Sequence, residues 1–334
     1  MKKSYYIFNP GRLSRKDNTL KFTPINEEGK DGKPRFLPVE QVDQLYCFGS
    51  VDANSAMYNF LGKNEIAVHF FDYYENYTGS FLSKDYLLSG KMLVSQVKYF
   101  SSKNKRIEIA REIINAAIHN SLKNLNYYNS RGKDLRKIIE EIEKLRQSIS
   151  NVKEINELMG IEGNIRKKYY EAFNEILKHF EMDGRNKQPP KDPVNALISF
   201  GNMICYSQVL RSIHQTQLNP TISYLHSPGE RRYSLALDLA EVFKPMLVDR
   251  VIFKVLNKQM ISKTDFDKKV NGILLKEGAK QKFIKAWEER LEETIMHRSL
   301  KKKVSYKHLI KLEAYKLQKH LLGITTYKGF KIWW

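Results

Sequence analysis

Four side chains stand out because their chemistry is at odds with their apolar surroundings: Glu162, His226, Asp238 and Glu241. Glu162 lies in Gly160-Ile161-Glu162-Gly163, with Leu158 four residues before it and Ile165 three after. On a continuous helix it therefore borders the apolar stripe and needs a partner. The flanking glycines weaken that helix unless something must approach the backbone closely. The competing reading is a glutamate at a helix start, favoured by the helix dipole. His226 belongs to Tyr224-Leu225-His226-Ser227-Pro228-Gly229, a turn stiffened by proline and glycine. An imidazole held there serves as a ligand or general base, or else as a structural hydrogen bonder.

Asp238 and Glu241 occur in Ser234-Leu235-Ala236-Leu237-Asp238-Leu239-Ala240-Glu241-Val242-Phe243-Lys244-Pro245. At i, i+3 they stand about 60° apart around a helix, and in apolar company they repel unless a cation or proton lies between them. Pro245 cannot donate to the carbonyl of Glu241, so the helix should bend beside the acid. The bland alternative is an acid pair bridged to lysine or arginine. Two acids and a histidine suit a divalent cation with mixed oxygen and nitrogen ligands. Mn²⁺ or Mg²⁺ fits better than a structural zinc, for which thiolates are missing.

The elements that must position these groups belong to a chain of 334 residues, long enough for about two domains. Lys and Arg number 57 and Asp and Glu 37, a net charge of +20 that calls for a polyanionic partner. Hydrophobic residues at 42% exclude a disordered basic tail. On so basic a protein a divalent cation serves phosphodiester chemistry. Phosphate loops, nucleophile elbows, His-Glu-x-x-His and Gly-x-Gly-x-x-Gly motifs are missing from the sequence. Cys47 and Cys205 form no Cys-x-x-Cys pair, which points to a reducing compartment. The N-terminus has no signal-peptide core, and Val194 to Leu210 is too polar for a bilayer span, so a cytoplasmic protein with no membrane partner is expected.

Turn clusters and β-rich runs such as Ser4-Tyr5-Tyr6-Ile7-Phe8 and Ile66 to Phe71 predict a small N-terminal β-domain over residues 1–88, with Asp17-Asn18 as a hairpin turn. No proline occurs between Pro38 and Pro189, which leaves room for long helices. Leu135 to Ile149 and Leu158 to Phe180 carry helical periodicity, and Pro193 sits where a further helix starts. The fold class is α+β: the β-domain followed by a larger all-helical catalytic domain, 89–334.

Basic residues flank the acids. Arg166, Lys167 and Lys168 follow Glu162, and Arg231 and Arg232 follow His226; either set suits a phosphate backbone. From Leu300 to Trp334 the chain carries nine lysines, one acid (Glu313) and six aromatics. This tail reads either as a solvated helix face with aromatics docked on the core, or as a strand-binding arm. A mixed outcome is expected, with Lys301, Lys302, Lys303 and their neighbours to 311 on DNA and the terminal aromatics docked.

Four blocks then occur in a familiar order: Met159-Gly160-Ile161-Glu162-Gly163 with Tyr169-Tyr170, Pro189 to Leu197, Leu225-His226-Ser227-Pro228-Gly229, and Ser234 to Pro245. Jointly they resemble the CRISPR adaptation integrase family. Ile7-Phe8-Asn9-Pro10-Gly11-Arg12-Leu13-Ser14-Arg15 is similar to the branch that accompanies type I-B systems.

The resemblance implies a metal-dependent DNA endonuclease and integrase that inserts short DNA into a CRISPR repeat array by attack of a 3′-hydroxyl on a phosphodiester. It places Glu162, His226 and Glu241 on the family's metal-ligand positions and Asp238 on its neighbouring acid; in some members the position of Glu241 is Asp. It also implies a homodimer, formed mostly through residues 1–85, that works with a small ferredoxin-like partner subunit on double-stranded DNA with 3′ ends. The sequence leaves open whether a processing nuclease joins them. The rival readings are a DNA-binding scaffold whose acids are merely salt-bridged and a metal-dependent nuclease without integration. On the enzymatic reading, Glu162, Glu241 and His226 should converge on one cation-sized site.

Overall fold

The computed structural model describes residues 2–83, 87, 89–186, 189–229, 233–269 and 272–333. Arg231 and Arg232, expected at a phosphate backbone, lie outside the described residues. The chain divides into two compact units, Met1–Leu88 and Ser89–Trp334.

The first unit is built from short alternating segments whose apolar residues point one way. Its strands are β1 (Lys3–Ile7), β2 (Gly11–Lys16), β3 (Thr19–Pro24), β4 (Arg35–Pro38), β5 (Val42–Cys47) and β6 (Val51–Asp52). Helix α1 (Ser55–Lys63) follows, then β7 (Ala67–Phe71) and β8 (Tyr77–Phe81). They form two four-stranded sheets, ordered β1-β5-β7-β8 and β4-β3-β2-β6. Strands β1, β5 and β7 run parallel, and β2 and β3 form an antiparallel hairpin across Asp17-Asn18. Asp17 takes φ 52°, which a short polar side chain tolerates at a tight turn. The sequence reading had no helix here. Asn54 starts α1 by accepting a hydrogen bond from the Met57 amide (2.9 Å), a local signal the strand pattern around it hides. Leu13, Leu20, Val42, Leu45, Leu61 and Val68 share the core.

The second unit begins with α2 (Gly90–Ser101), α3 (Lys103–Asn129), α4 (Arg136–Gln147) and α5 (Ile155–Ile176), all inside the proline-free stretch. After it come α6 (Pro193–His214), α7 (Ser234–Lys244), a π-helical turn (Pro245–Asp249) and α8 (Arg250–Asn257). Asp192 caps α6 by accepting from the Asn195 amide (2.8 Å), with Pro193 in the first turn. The unit is not all-helical as expected. It also carries two hairpins, β9 (Phe266–Lys269) with β10 (Gly272–Leu275) and β11 (Thr294–His297) with β12 (Lys302–Ser305). Helices α9 (Glu277–Glu292) and α10 (Tyr306–Leu321) complete it. Four-residue strands in lysine-rich segments leave too short an apolar pattern to distinguish from a helix face.

Helix α3 is the hub, packed against α2, α4, α5, α7 and the π turn. Gly201 lets α6 approach the π turn: a Cβ there would come within 2.5 Å of Val248 Cγ1. The C-terminal segment docks on α3. Asn120 donates to the carbonyls of Val242 (2.9 Å) and Phe330 (3.0 Å) and accepts from the Ile332 amide (2.9 Å). Buried Glu313 accepts from Tyr327 Oη (2.7 Å) and the Phe330 amide (3.0 Å). Tyr327, Phe330 and Ile332 are buried, so these tail residues pack on the helical core.

At Gly329 an added Cβ would lie 2.7 Å from the Glu112 carbonyl oxygen, a backbone atom that cannot yield. We expect Gly329→Ala to cost about 1–3 kcal/mol, read as a lower melting temperature, because docking the tail and keeping α3 straight become incompatible.

Candidate active site

The acids are positioned by α5 and α7. Glu162 lies in the third turn of α5, inside the helix and not at its start, so the dipole reading does not apply. Four residues on, Arg166 bonds Glu162 and also reaches Glu241 of α7, with Nη2 2.5 Å from Oε2. Lys244 holds the other oxygen of Glu241 at 2.6 Å. Glu241 is only 5% exposed. Burial opposes its ionisation, but the charges of Arg166 and Lys244 outweigh that penalty and hold its carboxyl well below the usual range. These side chains line a cavity of about 40 Å³ with Tyr169, Tyr170, Pro245 and Asp249.

Pro245 disturbs the helix as its missing N–H requires, and the chain answers with the π turn Pro245–Asp249 that leads into α8. The Pro245 carbonyl accepts from Asn124 Nδ2 (2.7 Å), which also donates to Tyr169 Oη (3.0 Å). Tyr169 in turn donates to Asp249 Oδ2 (3.0 Å). Burial pushes the Asp249 carboxyl up to about 7, against the hydrogen bond from Tyr169.

Asp238, one turn before Glu241, has a different task. It is fully buried and accepts the backbone amides of Tyr224 (2.6 Å), Leu225 (2.9 Å) and His226 (2.9 Å), with His226 Nδ1 at 2.8 Å. The carboxylate fixes the whole turn and the imidazole orientation. Arg106 adds a bond to the Tyr224 carbonyl (2.9 Å) and Ser223 Oγ one to that of His226 (2.6 Å).

The structure thus brings Glu162 and Glu241 together through Arg166, and His226 together with Asp238. The expected convergence of Glu162, Glu241 and His226 is not what it displays: among the described residues no group of three or more His, Cys, Asp or Glu is arranged to hold a metal ion. The physical reason is that two facing carboxylates require positive charge, and the Arg166 guanidinium supplies it. Arg166 and Lys168 were expected at DNA. Arg166 is engaged by the acids, and Lys168 is paired with Glu141 (3.0 Å) on α4 and Glu171 (3.1 Å). Lys301, Lys302 and Lys303 are exposed around hairpin β11–β12, on a different element from the acids. Sequence reasoning missed Asp249, Tyr169 and Asn124 as parts of the site. Only the polar character of Asn124 within an apolar helix stripe signalled any of them.

The donor chemistry nonetheless fits a divalent cation. Two carboxylates already share one positive charge, and Asp238 takes Nδ1 of His226, leaving Nε2 as the ligand nitrogen. Arg166 keeps 30% of its side-chain surface open.

The family model of CRISPR associated protein Cas1 matches residues 5–289. The chain belongs to the Cas1 family. A CRISPR-associated endonuclease Cas1 of Fusobacterium nucleatum is 47% identical over 100% of this chain and 98% of its own length. Among solved structures, a CAS1 protein from Thermotoga maritima matches with TM-score 0.84 and 36% identity, covering 98% of this chain and 99% of that one. A casposase bound to integration product has TM-score 0.88 at 19% identity, covering 99% and 93%. A Cas6-RT-Cas1–Cas2 complex has TM-score 0.83 at 19% identity, covering all of this chain and 36% of the other. These last two share the fold.

Two measurements probe the Cas1 site. Arg166→Met leaves Glu241 buried beside Lys244 alone and should lower stability by about 3 kcal/mol near neutral pH, checked by denaturant unfolding. Asp249 is the opposite case. Its folded value, about 7, lies above the ordinary 3.8, so its contribution is full below 3.8 and is lost as pH rises toward 7. Asp249→Asn should therefore melt progressively higher relative to the parent across that window, as thermal unfolding at a series of pH values would read.

Proposed function

We propose that this chain is a metal-dependent DNA endonuclease and integrase that joins a DNA 3′-hydroxyl to a phosphodiester of a CRISPR repeat. The observation that carries the reading is the guanidinium shared between Glu162 and Glu241, together with an imidazole fixed by buried Asp238 one turn before Glu241 on α7. Glu162, Glu241 and His226 would hold Mn²⁺ or Mg²⁺ once Arg166 turns outward. When bound, such a cation polarises the attacked phosphoryl oxygen and favours ionisation of the attacking hydroxyl. Asp238 keeps His226 in one tautomer and one orientation. Lys244 holds Glu241 in place. In the transesterification one phosphorus–oxygen bond forms with the incoming 3′-oxygen and one breaks, releasing a 3′-hydroxyl on the target strand.

The finer parts of this reading rest on the resemblance. They are assignment to the type I-B branch, work with a small ferredoxin-like partner on double-stranded DNA with 3′ ends, and a cytoplasmic location. Among the described residues no helix is long and apolar enough to cross a membrane. Homodimerisation through the first unit is supported by its open sheet edges: β4 is terminal in its sheet and presents Phe36, 47% exposed. The lysines at 301–303 suit a DNA backbone because they project around a hairpin turn.

A scaffold without catalysis is the second reading, and one observation favours it: the acids are salt-bridged, as that reading requires. Cleavage assays with added Mn²⁺ decide between the two, and strand-transfer products separate an integrase from a plain nuclease. We expect His226→Ala to abolish metal-dependent cleavage while DNA binding persists, because binding rests on distributed basic contacts. Asp238→Asn, acting through His226, should weaken metal affinity or activity about 10- to 100-fold. Undiminished cleavage by His226→Ala would refute the assignment.

A further inference from the structure

Away from the acids the second unit holds a larger and oppositely charged cavity, of about 570 Å³, between the C-terminal ends of α3 and α5 and the helices α8 and α9. Seven cationic side chains line it against one carboxylate, Glu293, which pairs with Arg290, while Lys254 is paired with Glu289 of α9 (2.7 Å). Two of them are held flat: the guanidinium groups of Arg131 and Arg250 lie 4.4 and 4.3 Å from the centroid of the Tyr127 ring. Arg290 is fixed from below by the Met246 carbonyl (3.0 Å) and Tyr306 Oη (3.1 Å). Lys178 and Lys258 are exposed at the rim. Asn257 ties that rim together, donating to the Ile176 carbonyl (3.1 Å) and accepting from the Lys178 amide (3.2 Å).

Such a grouping is costly by itself, since like charges in a half-buried space repel. Burial, together with the charge of Arg290, lowers the proton affinity of Arg250. An anion relieves that cost. Planar guanidinium forks match phosphate oxygens, and with Tyr127 already engaged by two of them the aromatic ring is not offered to a base. The cavity is therefore suited to backbone and not to sequence.

Its position relates it to the acids. Ser121, Asn124 and Tyr128 share one face of α3 at spacings of three and four, and Arg131 follows in the turn just past its C-terminal end. Ser121 lines the acidic cavity, and Tyr128 and Arg131 line the basic one. Seven residues of helix are about 10 Å, so the two cavities are close enough to meet one DNA strand.

We infer that this cavity is a second phosphodiester site, which grips the DNA backbone away from the reacting phosphate on the same strand. The inference rests on the DNA-processing reading above. None of the basic residues first considered for DNA contact contributes to it.

The test uses the full chain and the variant Arg131→Gln/Lys178→Gln/Lys258→Gln, whose three side chains are exposed. The probe is duplex DNA with 3′ overhangs, bound over a range of NaCl concentrations. About 0.9 is lost from the slope of log affinity against log salt per phosphate contact removed, so the variant should flatten it by about two to three with its melting temperature unchanged. If the triple variant melts early, Lys178→Gln and Lys258→Gln singly should each flatten the slope by about one. A parental slope in a folded variant overturns the inference while leaving the proposed activity intact, because the unaltered chain's own DNA cleavage reports on that. A parental slope combined with stabilisation of the unaltered chain, but not of the variant, by inorganic tripolyphosphate would assign the cavity to a free polyphosphate and also overturn it. An unaltered chain that neither binds nor cuts DNA would fail the proposed function first, and this site with it.

Discussion

Glu241 is a carboxylate with almost no access to water, and it is tolerable because Lys244 on its own helix and Arg166, from a helix 75 positions earlier in the chain, both reach it. Breaking such a pair from one side costs about 3–5 kcal/mol, so α5 and α7 cannot be placed independently. The register that brings Arg166 to Glu241 also sets Glu162 beside both, since i and i+4 share a helix face. The same interaction defines the chemistry. Two carboxylates, Glu162 and Glu241, are drawn together around Arg166, with Lys244 on the far oxygen of Glu241.

Around this pair the chain arranges polar groups that have no business in a core unless each is satisfied. Asp238 collects three backbone amides and an imidazole, which makes the turn Tyr224 to Gly229 a fixed mount for His226. Asn124 joins α3 to the π turn and to Tyr169, and Tyr169 passes the contact to Asp249. Asn120, one turn earlier, does the corresponding work for the C-terminal segment, clasping both sides of residues 330–332. Helix α3 thereby connects the acids, the tail and the basic cavity through residues on neighbouring turns.

The sequence by itself determined the β-rich first unit, the long helices of the second and the special residues, but not α1 or the hairpins β9–β10 and β11–β12. Proline placement bounded the helices: none interrupts α2 to α5, and Pro193 opens α6. The Asp17-Asn18 hairpin was legible because a two-residue turn has its own side-chain chemistry. Glu162, His226, Asp238 and Glu241 were legible because polar groups in apolar patterns are expensive. The tertiary structure alone decided what those residues do to one another. Arg166, read as a DNA contact, faces the acids because its helix is oriented by packing against α3 and α4, and periodicity cannot specify which neighbour a boundary residue meets. Asp238 and Glu241, one turn apart and similar on paper, part company because one faces the His226 turn and the other faces α5. The basic cavity was invisible for the same reason. Its residues come from four helix ends scattered between positions 127 and 293, and charge density in space is set by how helices converge, which no local window of sequence contains.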